Sequence, residues 1–154
     1  MLSQKAKVLQ ALGGRTMLNH VMKAANKISN KISVVVGFDK EGVEEEIKKI
    51  GINANTYIQR EQIGTADAVK TTLKNIDKNE KVLILYGDVP LIKEETLKKL
   101  CNQESDLSIL TTNLENPTGY GRTLKDKENN VLGIIEEKDA DLEQKKIKEI
   151  FTGI

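Results

Sequence analysis

Lys81-Val82-Leu83-Ile84-Leu85-Tyr86-Gly87-Asp88-Val89-Pro90-Leu91 is the stretch that decides how this chain folds. The aliphatic run predicts a strand over Lys81 to Tyr86 of the kind that lies inside a parallel sheet with both faces covered. Gly87 then lets the backbone turn sharply at the carboxyl end of the strand, the edge where open α/β sheets bind their ligands. Asp88 stands at that edge. A lone carboxylate there is a candidate hard-cation ligand, because Mg²⁺ at phosphate groups is usually held by only one or two protein carboxylates. Read in isolation, an Asp that caps the next helix is the simpler account.

Outward from this run, short β-branched segments alternate with longer ones whose apolar residues recur three or four apart. Strands are predicted at Ile32 to Val36, Asn55 to Ile58, Leu107 to Thr112 and Val131 to Glu136. Helices are predicted at Thr16 to Ile28, Glu41 to Ile50, Thr65 to Leu73, Glu94 to Cys101 and Asp141 to Lys148. Strands separated by helices of this length imply βαβ units, hence a three-layer α/β/α sandwich with a mostly parallel sheet. Residues 1–15 show neither a strand nor a phosphate-binding glycine loop, and Glu149 to Ile154 read as the opening of a further strand.

The 154 residues suit one domain with a real core. With 24 Lys+Arg against 23 Asp+Glu there is no field for nucleic acid or an anionic membrane, so neither is an expected partner. No stretch approaches the roughly 18 apolar residues of a membrane span, and a cytoplasmic location is expected. Cys101 is the single cysteine and His20 the single histidine. Each falls on a helical pattern, where packing is the expected role.

Three more segments suggest a site. Gln59-Arg60-Glu61-Gln62-Ile63-Gly64-Thr65-Ala66-Asp67-Ala68 follows a strand and opens a helix. Gly64 permits close backbone approach, the free N–H groups beginning near Thr65 can donate to a ligand, and Gln59 can read a base edge. Alone, Thr65 as an N-cap and Gln59 as a surface residue would suffice. Asn116-Pro117-Thr118-Gly119-Tyr120-Gly121-Arg122 suits a tight loop whose amides touch sugar or phosphate, or an ordinary hairpin. Glu136 ends a strand in Gly133-Ile134-Ile135-Glu136-Glu137-Lys138-Asp139; it is placed to accept from hydroxyls, or belongs to a solvated turn.

Together the four motifs, Gln-x-Glu-Gln-x-Gly-Thr-Ala, Leu-Tyr-Gly-Asp-Val-Pro-Leu-Ile, Asn-Pro-Thr-Gly-Tyr-Gly-Arg and Gly-Ile-x-Glu-x-Lys-Asp-Ala, resemble one family over nearly the whole chain. It is the N-terminal uridyltransferase domain of bacterial bifunctional N-acetylglucosamine-1-phosphate uridyltransferase/glucosamine-1-phosphate acetyltransferase. The resemblance implies a Rossmann-like nucleotidyltransferase fold. It also implies the joining of UTP to N-acetylglucosamine 1-phosphate, giving UDP-N-acetylglucosamine, a cell-wall and lipopolysaccharide precursor, and pyrophosphate. By the same resemblance Asp88 would ligate Mg²⁺, and Lys7 would neutralise phosphate charge, so these two are the catalytic candidates. Gln59, Gly64 and Thr65 would hold the uracil, Tyr86 and Gly87 would line the nucleotide and sugar pocket, and Gly121 and Glu136 would bind the N-acetylglucosamine moiety.

Departures from the family pattern set further expectations. The family's Leu-x-Ala-Gly-x-Gly-Thr-Arg-Met segment, a strand and the loop that holds the UTP phosphates, would lie just before Met1, which aligns with its final methionine. Ala6 replaces a proline ahead of Lys7, and Phe151 replaces the asparagine of Asn-Thr-Gly-Ile. The chain is thus expected to be a partial uridyltransferase domain, lacking the first strand and glycine-rich loop and the left-handed β-helix that carries the acetyltransferase. Undetectable turnover in isolation is expected. The alternatives are a non-catalytic remnant, one piece of a split enzyme that self-associates or needs a complementing chain, and a nucleotidyltransferase for another sugar phosphate.

Overall fold

A computed structural model describes residues 5–61 and 63–154. Residues 1–4 and Gln62 lie outside the described set, so the alignment of Met1 with the family's motif and the Gln62 position of the first motif have no structural counterpart here. The chain divides into two compact units, the first ending at Cys101 and the second being Asn102–Ile154.

The first unit opens on a single 3₁₀ turn, Lys7–Leu9, followed by a small hairpin of β1 (Ala11–Leu12) and β2 (Arg15–Thr16). Gly13 and Gly14 make the hairpin turn with φ of 58° and 79°, a pair of left-handed residues that only glycines supply cheaply. This corrects the reading of residues 1–15 as strand-free; two-residue strands leave no alternating pattern to detect. Thr16 then caps α1 (Met17–Asn26), accepting from the Asn19 amide and donating to Glu46. Leu18, Val21 and Met22 form the buried stripe of α1, at the i, i+3, i+4 spacing that predicted the helix.

β3 (Ser33–Val36), α2 (Lys40–Ile50) and β4 (Asn55–Ile58) make a βαβ unit in which β3 and β4 pair in parallel, Ser33 opposite Asn55 through Val36 opposite Ile58. Gly51, with φ of 72°, closes α2 by donating to the Ile47 carbonyl. Ala6, Leu18, Met22, Val36, Val43 and Ile47 form one core cluster. Asp39 ties it together: at φ 55° its carboxylate accepts from the Gly42 amide, capping α2, and from the amide of Ala6. α3 (Thr65–Lys70) is shorter than predicted because the Thr71 and Thr72 hydroxyls bond back to the Ala68 and Val69 carbonyls, the local competition that weakens helices. α4 (Glu94–Cys101) matches its prediction, with Leu97 fully buried and Cys101 half-buried as a free thiol.

The predicted strand Lys81 to Tyr86 joins no ladder among the described residues, and Val82 and Ile84 are 50% and 44% exposed. The apolar run specifies burial but carries no partner of its own; a parallel strand exists only where a neighbour supplies the hydrogen bonds.

In the second unit the sheet order is β5 (Thr111–Asn113), β8 (Glu149–Phe151), β6 (Arg122–Lys125), β7 (Val131–Ile135), all neighbours antiparallel. Parallel pairing is thus found in the β3–β4 pair, while this larger sheet is antiparallel. Leu107 to Leu110 fall outside β5, with Leu107 exposed, although Leu110 still bonds to Ile154 and Thr152. The predicted helix Asp141 to Lys148 is a single 3₁₀ turn, Gln144–Lys146. Asp141 and Gln144 do cap each other reciprocally, but Leu142 is 82% exposed and the segment has no apolar face to bury, so the turn does not propagate.

Asp39→Ala removes a helix cap and strands the Ala6 amide at once; a loss of about 2 kcal/mol of stability is expected in urea denaturation. A loss within error of zero would show that the two bonds are not formed together.

Candidate functional site

Lys7 and Asp88 are 81 positions apart, and the fold brings their side chains into an ion pair, Nζ to Oδ2 at 2.7 Å. The Asp39 anchor fixes the Ala6 end of the 3₁₀ turn that carries Lys7. Gly87 fixes the other side, because a Cβ on it would stand 3.0 Å from Val8 Cγ1, tighter than ordinary side-chain contact. A glycine here lets the Val8 side chain pack against this backbone without having to give way. Tyr86, half-buried, starts the turn by accepting from the Val89 amide. Asp88 therefore spends a carboxylate oxygen on Lys7. The carboxylate beside Lys7 holds its ammonium above the ordinary lysine range, through the hydrogen bond first and then charge attraction.

Gln59, Gly64 and Thr65 form a second cluster. The Gln59 side-chain amide donates to the Gly64 carbonyl at 2.9 Å and to Asp67 at 3.0 Å, while its backbone amide continues the ladder to Val36. Both side-chain N–H protons of Gln59 are thus engaged in shaping the loop. Gly64 occupies the N-cap position at φ 132°, a region closed to side-chain-bearing residues, and Thr65 is the first residue of α3 without a capping bond. The N-cap role for Thr65 is therefore not what the helix uses. A cavity of about 310 Å³ lined by Ile58, Arg60, Glu61, Asp67 and Thr71 adjoins this loop. Asp67 was not singled out from sequence; its place one turn into the helix after Gly64 was the available signal.

In the second unit Gly121 and Glu136 are brought together. A Cβ on Gly121 would lie 3.0 Å from Ile134 Cγ2, so the glycine leaves room for Ile134, and it would lie 3.6 Å from both Glu136 carboxylate oxygens, which places Glu136 beside the Gly121 backbone. Glu136 is exposed, and its carbonyl accepts from Asp139 and Ala140, so it also begins the turn read as the alternative. The Phe151 amide donates to the Gly121 carbonyl at 3.2 Å, making Phe151 the neighbour of Gly121 across β8.

Outside these sites, His20 lies on α1 and donates from Nε2 to the Leu12 carbonyl, a structural bond at the hairpin. A second cavity, about 440 Å³ and lined by Lys5, Leu9, Thr16, Asp39, Gly42, Glu45, Glu46 and Lys49, contains none of the candidate residues. Among the described residues no group of three or more His, Cys, Asp or Glu side chains is placed to hold a metal. Among the described residues no helix is long and apolar enough to cross a membrane.

A family model described as a MobA-like NTP transferase domain matches residues 2–140. The chain belongs to that family. Among curated relatives, the bifunctional protein GlmU of Ruthia magnifica is 44% identical over 154 residues, and that of Francisella tularensis subsp. novicida is 46% identical over 155. The match takes in 99% of this chain and 33% of each relative, so the chain spans about a third of their length. Solved structures with the same fold include HddC from Yersinia pseudotuberculosis, with a TM-score of 0.69 at 16% identity, covering 97% of this chain and 64% of that one. A putative glucose-1-phosphate thymidylyltransferase from Bacillus anthracis, in complex with a sucrose, gives 0.71 at 18% identity, covering 96% and 60%. The resemblance carried by the four motifs is borne out, and so is the Rossmann-like nucleotidyltransferase fold of this NTP transferase domain.

Followed by NMR, the Lys7 ε-ammonium should titrate above the ordinary lysine range in the native chain and return to that range in Asp88→Asn. Superimposable titrations would contradict the pairing.

Proposed function

We propose that the chain is a nucleotidyltransferase domain for UTP and N-acetylglucosamine 1-phosphate, yielding UDP-N-acetylglucosamine and pyrophosphate. The observation that carries this reading is the Lys7–Asp88 pair, a cation and a carboxylate drawn from opposite ends of the first unit to one point. In the reaction a phosphate oxygen of the sugar phosphate bonds to the α-phosphorus of UTP as the bond to the β-phosphate breaks, and pyrophosphate leaves. Such a displacement needs alignment and charge neutralisation more than proton transfer. Lys7, 73% exposed at its side chain, is free to turn its ammonium from Asp88 to a phosphate oxygen.

The donor set at Asp88 fits Mg²⁺ held chiefly by substrate phosphates, because one partly exposed carboxylate, outside any cluster of three or more ligating side chains among the described residues, suits a cation that keeps water and phosphate around it. When bound, the ion would supply charge neutralisation on the triphosphate. The loop closed by Gln59 and Gly64 receives the uracil through backbone groups around Thr65 and the remaining carbonyl oxygen of the Gln59 side chain. Tyr86 and Gly87 line the nucleotide side. Gly121 and Glu136 receive the N-acetylglucosamine moiety, Glu136 accepting from hydroxyls.

One observation favours a second reading, a nucleotidyltransferase for another sugar phosphate. Phe151 is the direct neighbour of Gly121, and a phenyl ring offers neither donor nor acceptor to an acetamido group. Under this reading glucose 1-phosphate binds as well as its N-acetylamino counterpart.

Calorimetric titration of UDP-N-acetylglucosamine with Mg²⁺ into the folded chain should give saturable binding that weakens by about tenfold or more in Asp88→Ala. Absence of heat in a folded sample, or equal affinity in the variant, would overturn the primary reading.

A further inference from the structure

Gly121 immediately precedes β6 and Arg122 opens it, and as successive residues of extended chain they face opposite sides. Gly121 faces Glu136. Arg122 goes the other way and is only 1% exposed, an unusual burial for a guanidinium, which requires a partner for its charge. Its Nη2 donates to Glu137 at 2.5 Å, and its Nη1 donates to the Tyr120 carbonyl. Its Nε is buried with no protein partner. Glu137 in turn accepts from the Gly119 amide. Two of the three residues before Arg122 are therefore held by the pair, Gly119 by Glu137 and Tyr120 by Arg122, while the Gly121 carbonyl accepts from the Phe151 amide.

The same two strand ends thus supply two pairs of residues. Gly121 and Glu136 form the candidate sugar-binding pair, and the residue that follows each of them, Arg122 and Glu137, forms an ion pair on the other face. We propose that Arg122 and Glu137 are positioning residues: their ion pair locks the turn over residues 119–121 and sets the distance between the Gly121 backbone and the Glu136 carboxylate. This rests on the assignment of Gly121 and Glu136 to acceptor binding. Arg122 reaches the ligand only through the turn it holds. Within the turn the Tyr120 amide donates to the Pro117 carbonyl and the Thr118 amide to Asn116, while Gly119 at φ 87° has no side chain with which to hold its own conformation. A planar guanidinium with a fixed fork of donors adds rigidity, bridging a carbonyl and a carboxylate at once.

The charge state supports this arrangement. Arg122 beside it, and then the Gly119 amide, hold the Glu137 carboxyl below its ordinary range. A depressed carboxylate contributes to the folded state above its unfolded pKa, and that contribution disappears as pH falls through the folded value. The lock is therefore closed at neutral pH and opens in acid.

The test compares Glu137→Ala and Glu137→Gln with the native chain by amide hydrogen exchange and by UDP-N-acetylglucosamine titration with Mg²⁺. In Glu137→Ala, exchange at Gly119, Tyr120 and Gly121 should accelerate by about tenfold while Thr112 and Ile150 in the β5–β8 ladder keep their rates. Glu137→Gln, which retains an acceptor oxygen, should recover part of the protection. Affinity for the sugar nucleotide should fall by about tenfold in Glu137→Ala and partly return in Glu137→Gln. Acceleration of turn and ladder together would reduce the pair to general stability, and unchanged turn exchange would show that no lock exists; either overturns the proposal. If the native chain binds no sugar nucleotide, the functional reading fails, while the exchange comparison still decides whether the pair holds the turn.

Discussion

The carboxylate of Asp39 is the constraint on which the first unit depends. Its two oxygens serve two different pieces of chain, one capping α2 through Gly42 and the other holding the amide of Ala6. Asp is one of the few non-glycine residues that tolerates the left-handed backbone found here, and Gly42 leaves room for the carboxylate, which would lie 2.6 Å from any Cβ at that position. A helix cap is worth about 1 kcal/mol wherever it occurs. Here it also decides where the residue after Ala6 stands, and that residue is Lys7. The position of the phosphate-neutralising candidate is therefore inherited from the start of a helix more than thirty residues away.

Glycine does corresponding work at both candidate sites, by subtraction. Gly87 lets the Val8 side chain close onto the turn that carries Asp88, and Gly121 lets Ile134 close over the start of β6. In each case the missing Cβ admits an apolar side chain, Val8 or Ile134, next to a backbone that carries or neighbours a candidate carboxylate. Charge is then balanced locally. Asp88 is paired by Lys7 and Arg122 by Glu137, the exposed pair being free to rearrange and the buried one holding its turn. Exposed pairs contribute little to stability, which makes Lys7 and Asp88 inexpensive to separate when a phosphate arrives.

Much of this was legible in the residues. The periodic stripes of α1, α2 and α4 and the β-branched runs of β3 and β4 predicted elements that the structure places within a residue or two. Their energetics are local or rest on one apolar face. Taken alone, the Asp88 loop and the Gly121 and Glu136 motifs each had an ordinary structural reading; what they carried together was the family resemblance. Three kinds of feature were not legible. The run from Lys81 to Tyr86 shows burial without naming a partner, and its ladder depends on another segment. Asp141 to Lys148 carries good helix signals at its start but no side chain pattern to bury, so one turn is all that forms. The roles of Asp39, Asp67 and Arg122 arise from contacts across the fold or from the unusual burial of a cation, and no spacing rule announces these.

The proposed nucleotide recognition rests on specific positions in the first unit. The most direct measurement is an amide chemical-shift map of the labelled chain titrated with UTP and Mg²⁺. Saturable shifts concentrated at Lys7, Gln59, Gly64, Thr65, Gly87 and Asp88 are the predicted result. Shifts absent from these residues, or spread evenly over the surface with no saturation, would contradict it.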